Sequence, residues 1–144
     1  MCEKNNMSFE TNTGEEMADS IVSAARTSLG DTLRSVVYFT PSGFDVLYTR
    51  QDLYDSVERT TEAKSQLVEF ERTGFAEGPV RTALADAAGA PDIGAYEFTV
   101  RVHGDGFVVR VIQGDAGVLF TTDDMDVAAF EDSATVIRRL LGGA

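Results

Sequence analysis

The chain has one cysteine, one histidine and two lysines among its 144 residues. Each scarcity removes a class of chemistry. Cys2 has no partner within the chain, which excludes a disulfide framework and a cysteine metal site. His103 is the sole histidine, so paired-histidine zinc sites are excluded, and no Gly-x-Ser-x-Gly elbow offers it the nucleophile of a Ser/His/Asp triad. No stretch approaches the ~20 apolar residues of a membrane-spanning helix. The N-terminal MCEKNNMSFETNTGEEM lacks the apolar centre of a signal peptide, so a cytoplasmic protein is expected. Basic clusters are missing as well. The longest is Arg138 with Arg139, and at a net charge of −12 direct nucleic-acid binding is disfavoured.

What is abundant is carboxylate. Asp and Glu number 24 against 12 basic residues, and since Lys4 and Lys64 are the only lysines, the other ten bases are arginine. The acids are dispersed, with Glu15–Glu16 and Asp123–Asp124 the longest runs, whereas an acidic tail for a basic partner would form a block. A dispersed coat of hydrated carboxylate with little lysine is expected of a protein that works in concentrated salt. With 43% hydrophobic residues the chain supplies one core, and at this length one domain is expected.

Residues 1–14 show no hydrophobic period and predict a flexible leader to a domain over 15–144. From Glu15, the spacing of Met17, Ile21, Ala24, Ala25 and Ser28 predicts a helix that stops at Gly30. Two strands follow, Leu33–Thr40 and Phe44–Thr49, joined tightly through Pro41, Ser42 and Gly43 as an antiparallel hairpin. Asp52 to Arg72 predicts a helix anchored by Leu53, Val57, Leu67 and Phe70 and interrupted near Thr60 and Thr61. Pro79 reads as the first turn of a short third helix through Val80, Leu84 and Ala87. Tyr96, Phe98, Val100 and Val102 alternate with Glu97, Thr99, Arg101 and His103, a strand with an apolar and a polar face. Turns at Gly104–Gly106 and Gly114–Gly117 lead into strands Phe107–Ile112 and Val118–Thr121. The last helix is predicted to be capped from among Thr122, Asp123 and Asp124, and to bury Val127, Phe130, Ala134, Ile137 and Leu141.

The fold class expected is α+β, a single five-stranded antiparallel sheet in the order 2-1-5-4-3 with the terminal helices on one face and the middle helices elsewhere. That layout resembles the roadblock, profilin, PAS and GAF group of folds. Ser28, Leu29, Gly30, Asp31, Thr32, Leu33, Arg34, Ser35 and Val36 with Tyr38, Phe39 and Thr40 resemble a segment of an uncharacterised family of small acidic haloarchaeal proteins. The likeness extends through Leu47, Tyr48, Arg50, Asp52 and Leu53 to Tyr96, Phe98, Arg101 and Val102. It implies a free-standing halophilic domain and brings no activity and no catalytic residue.

The constellation with most chemical content is the polar face of the third and fourth strands: Glu97, Arg101 and His103, with Thr99, and Arg110 across the hairpin. A turn at Asp105–Gly106 sets Arg101 opposite Arg110, which calls for an anion or foreign carboxylates between them. A turn at Gly104–Asp105 sets Thr99 opposite Arg110 with Glu97 diagonally near, an ordinary salt-bridged surface. Asp123, Asp124 and Asp126 lack the glycine and glutamate offsets of a calcium loop and read as capping, so no metal is expected. Gly104–Asp105–Gly106 lacks the context of a phosphate loop and reads as a turn. No pair stands out among the loose carboxylates Asp31, Asp52, Glu97 and Asp115. Phe44, Tyr48, Tyr54 and Phe75 lie near element ends and are expected to be partly uncovered. Together these features suggest a non-enzymatic regulatory or scaffold domain without cofactor, acting through protein–protein contact as a homodimer or with another partner. The alternatives are a PAS- or GAF-like sensor holding a small molecule or anion, and an enzyme built on carboxylates.

Overall fold

The computed structural model describes residues 14–53, 56–89 and 91–143. Helix α1 (Glu15–Leu29) leads through a 3-10 turn into β1 (Leu33–Phe39), and β2 (Phe44–Thr49) returns beside it. Helices α2 (Val57–Glu71) and α3 (Thr73–Ala88) follow. Strands β3 (Thr99–His103), β4 (Gly106–Gln113) and β5 (Ala116–Thr122) and helix α4 (Val127–Leu141) complete the order. The sheet runs β2-β1-β5-β4-β3 with every pair antiparallel, the order expected from the sequence. The expected leader falls almost wholly on residues 1–13, and with Tyr54 these lie outside the described residues.

The sheet has two unlike faces. On one, α1 and α4 close over Leu33, Val36, Tyr38, Val109, Val111, Val118 and Phe120, with Phe130 of α4 set edge-on to Phe120 at 6.1 Å between ring centres. This core is apolar but for the buried Ser133 of α4, as the three-and-four spacing of α1 and α4 demands. On the other face, Val37, Phe39, Val46, Val108 and Leu119 pack against Val68 of α2. Polar groups are buried beside them: Ser35 Oγ and Thr121 Oγ1 lie 2.6 Å apart across the β1–β5 pair.

That second face overturns several expectations. Helix α2 runs unbroken through Thr60 and Thr61, and its buried stripe is Thr60, Lys64, Val68 and Glu71, while the expected anchors Val57 and Phe70 are exposed. The reason is complementarity: a sheet face that carries polar and arginine side chains selects a helix face able to bond with them. The break falls at Arg72, where α2 passes into α3. Helix α3 begins at Thr73, and Pro79 lies inside it rather than in its first turn. Phe44 and Phe75 are partly buried against the second core, Phe75 edge-on to Phe39 at 5.4 Å, and Tyr48 packs on the first core beneath Arg26. Each of the three keeps part of its surface uncovered, as expected. At α4 the cap is Asp126, whose carboxylate accepts the Ala129 N–H at 3.1 Å, not Thr122, Asp123 or Asp124. Val127, expected in the core, is exposed.

Candidate functional site

The β3–β4 hairpin turns at Gly104–Asp105, pairing His103 with Gly106, Arg101 with Val108 and Thr99 with Arg110. Of the two registers open to the sequence this is the one expected to be an ordinary surface, yet it is buried. Arg110 is 1% exposed, roofed by α2 and α3. Its Nη1 donates to Glu71 Oε1 at 3.3 Å, and its Nη2 to Glu77 Oε1 at 3.0 Å, Thr99 Oγ1 at 3.0 Å and the Tyr96 hydroxyl at 3.3 Å. Arg101 Nε donates to the other Glu71 oxygen at 2.6 Å. Glu71, itself 1% exposed, therefore bridges the two arginines. The carboxylate that paired arginines require comes from within the chain.

Around this bridge lies a second ring. Arg81 Nη2 bonds Glu77 Oε1 at 2.8 Å, and its guanidinium stacks 3.8 Å from the centre of the Tyr96 ring. Tyr96 is thus drawn to the ionic side, away from the apolar face on which the alternation puts it, and β3 proper starts only at Thr99. Gly74 is what lets α3 approach: a Cβ there would lie 2.5 Å from Ile112 Cδ1 and 2.7 Å from Arg110 Cζ. The hydrogen bond from Arg81, joined by that from Arg110, holds the Glu77 carboxyl below its ordinary range against a smaller cost of burial. Burial works against the charge of Arg110, but its bonds to Tyr96 and Glu77 together outweigh that cost and raise its pKa. Both shifts favour the charged forms of Glu77 and Arg110.

Of the four residues singled out from the sequence, Arg101 and Arg110 are brought together. Glu97 is exposed in the loop before β3, where its carbonyl accepts from Arg138 Nη1 at 3.0 Å, and His103 is exposed at the hairpin end. Neither bonds with either arginine. Asp31 and Asp52 meet at Arg50, Asp31 only through its carbonyl at 2.9 Å, while Asp115 is exposed in the β4–β5 turn. The missed residues are Glu71, Glu77, Arg81, Tyr96 and Gly74. Of these only Glu71 has a sequence signal, the spacing 60, 64, 68, 71, a helical stripe hidden because three of its four members are polar. Among the described residues no group of three or more His, Cys, Asp or Glu could hold a metal ion.

A second ionic hub lies beside the start of β1. Asp123 accepts from Arg34 at 3.0 Å and from Arg50 at 2.7 Å, and Arg50 also binds Asp52 at 2.7 Å. These bonds, Arg50's first, hold the Asp123 carboxyl below its ordinary value. A carboxyl depressed by folding adds stability that is fully present above its unfolded pKa and lost as pH falls through the folded one. Acid should therefore weaken the fold below about pH 4. Asp123→Asn should show a shallower loss over that window in denaturation curves at constant salt. Parallel curves for variant and parent would contradict it.

A five-stranded antiparallel sheet in this order, with the terminal helices on one face and the connecting helices on the other, defines a roadblock-like domain. The chain belongs to the DUF7522 family, described as a domain of unknown function, whose model matches residues 19–142. No curated protein matches it. Among solved structures it is similar to the gliding protein MglB from Thermus thermophilus, at 15% identity and a TM-score of 0.53 over 92% of this chain and 95% of that one. It is also similar to an MglB described with a tetrameric arrangement, at 14% identity and a TM-score of 0.55 over 94% and 98%. At such identity the likeness is one of fold. Among the described residues no helix is long and apolar enough to cross a membrane.

Proposed function

We propose that this domain acts without catalysis, as a regulatory or scaffold module that contacts other proteins and pairs with a second copy of itself through α3. The observation that carries the reading is the outer face of α3. Gly74 is its only fully buried residue, and Val80 and Leu84, one turn apart, are 58% and 65% exposed beside Ala76, Ala83 and Ala87. An apolar stripe of this kind on an otherwise acidic chain is a contact surface. The tetrameric arrangement described for an MglB lends the fold a precedent for assembly. The inward pairing of Glu71 and Glu77 supports a role other than acid–base chemistry, and the Glu71 bridge fills the place an anion would take between Arg101 and Arg110.

The setting of this reading is a salt-rich cytoplasm, in which screening lets two chains of charge −12 approach. Light scattering on the full chain tests both parts. In molar potassium chloride the mass should be twice 15.5 kDa, falling toward the monomer at low salt. Leu84→Glu should be monomeric at every salt concentration with an unchanged circular dichroism spectrum. A strict monomer at high protein concentration in molar salt would remove the proposal.

A further inference from the structure

Strand β3 is an edge of the sheet, and edge strands invite pairing unless a feature blunts them. A charged side chain waving in solvent is the usual device. Arg101 is not of that kind. Its Nε is tied to Glu71 at 2.6 Å, and Glu71 is locked in turn by Arg110, so the guanidinium is held in place on a side chain that is 42% exposed. Among the described residues Nη1 and Nη2 of Arg101 have no partner, which leaves the end-on fork that takes a carboxylate in bidentate fashion.

The hairpin sets what the main chain offers beside it. A two-residue turn closes on a hydrogen-bonded pair, here His103 with Gly106, and such pairs alternate along the ladder. Arg101–Val108 is then hydrogen-bonded, whereas Val100–Val109 and Val102–Phe107 are not. The N–H and C=O groups of Val100 and Val102 accordingly point away from β4, toward the open edge. A strand added antiparallel there would bond to those two residues. It would set one of its own residues opposite Arg101 in a non-hydrogen-bonded pair, where side chains come closest. Its neighbours would fall opposite Val100 and Val102 on the other face, and Val102 is 71% exposed.

We propose that the open edge of β3 docks an extended segment of a partner protein that carries Asp or Glu opposite Arg101, between two apolar residues that cover Val100 and Val102. A second copy of β3 aligned about Arg101 would set guanidinium against guanidinium, a destabilising pair, whereas an acidic strand in that register meets it with opposite charge. The peptides read this edge and Leu84→Glu reads α3, so either proposal can fail alone.

The test uses the full chain and two fluorescein-labelled peptides, Ser-Thr-Val-Glu-Val-Thr-Ser and its Glu-to-Lys counterpart, with anisotropy as the readout. The glutamate peptide should bind roughly tenfold or more tightly than the lysine one, and Arg101→Glu should reverse the order. Val102→Pro removes an outward N–H without costing a ladder bond, and should abolish binding of the glutamate peptide while the circular dichroism spectrum stays unchanged. Equal affinity for both peptides, no binding at millimolar concentration, or binding that survives Val102→Pro would overturn the proposal. Monomerisation of the chain itself by Val102→Pro would overturn it too, since the edge would then be occupied by a second copy.

Discussion

Replacing Arg110 by methionine should lower the unfolding free energy by about 3 kcal/mol, the cost of stripping one partner from a buried ion pair. Arg110 and Glu71 are each 1% exposed and bonded to one another. With the guanidinium gone, Glu71 keeps only Arg101, and one of its oxygens is left in a site that water does not reach. Glu77, with a side chain 41% exposed and a second arginine at 2.8 Å, can turn to solvent and contributes little to the loss. The sign is best secured by a double-mutant cycle. Methionine at both positions 71 and 110 should recover a substantial part of the deficit, because a filled apolar site is cheaper than a half-paired ionic one. Urea denaturation in molar salt, where surface charge is screened, reads the buried term most directly. A single mutant as stable as the parent would mean that the cluster is open to water.

Gly74→Val should cost about 3 kcal/mol, near the upper end for overpacking a filled site. The first added carbon already lies 2.5 Å from Ile112 Cδ1, 2.7 Å from Arg110 Cζ and 2.8 Å from its Nη1. Ile112 can turn its methyl aside. Arg110 cannot move without surrendering bonds to Glu71, Glu77, Thr99 and Tyr96. Helix α3 must then lift from the sheet, so hydrogen exchange should quicken along α3 and in the Tyr96 segment while the α1–α4 face keeps its protection. Uniform protection changes over both faces would contradict a local displacement.

The two faces of the sheet differ in how far they could be read from sequence, and for one reason. On the α1–α4 face, periodicity and burial agree: Ile21, Ala25, Phe130, Ala134 and Ile137 fall on apolar stripes and all are buried. The strand order was legible for the same reason, since an apolar first hairpin and an apolar last strand put β1 and β5 side by side at the centre. On the α2–α3 face the rule that apolar residues point inward fails. Glu71 and Lys64 are buried while Phe70, Val80 and Leu84 face out, so hydropathy selects the wrong side of both helices. Arg110 could be singled out because so few bases share the chain with so many acids. Its acidic partners could not, since Glu71 is 39 residues away and Glu77 is 33, and only the fold of α2 and α3 over β4 brings them there.

The burial of Lys64 reaches beyond stability. At 2% exposure, and with its amine pushed down to about 8 by burial and by the nearby Arg34, it is out of reach of reagents in the folded domain. The only other lysine, Lys4, stands near the start of the chain. The described surface thus presents no lysine amine, so amine-directed cross-linkers and labels will pass over it. Cross-linking tests of the proposed contacts call for carboxylate-directed coupling instead, for which the 24 Asp and Glu of the chain offer handles.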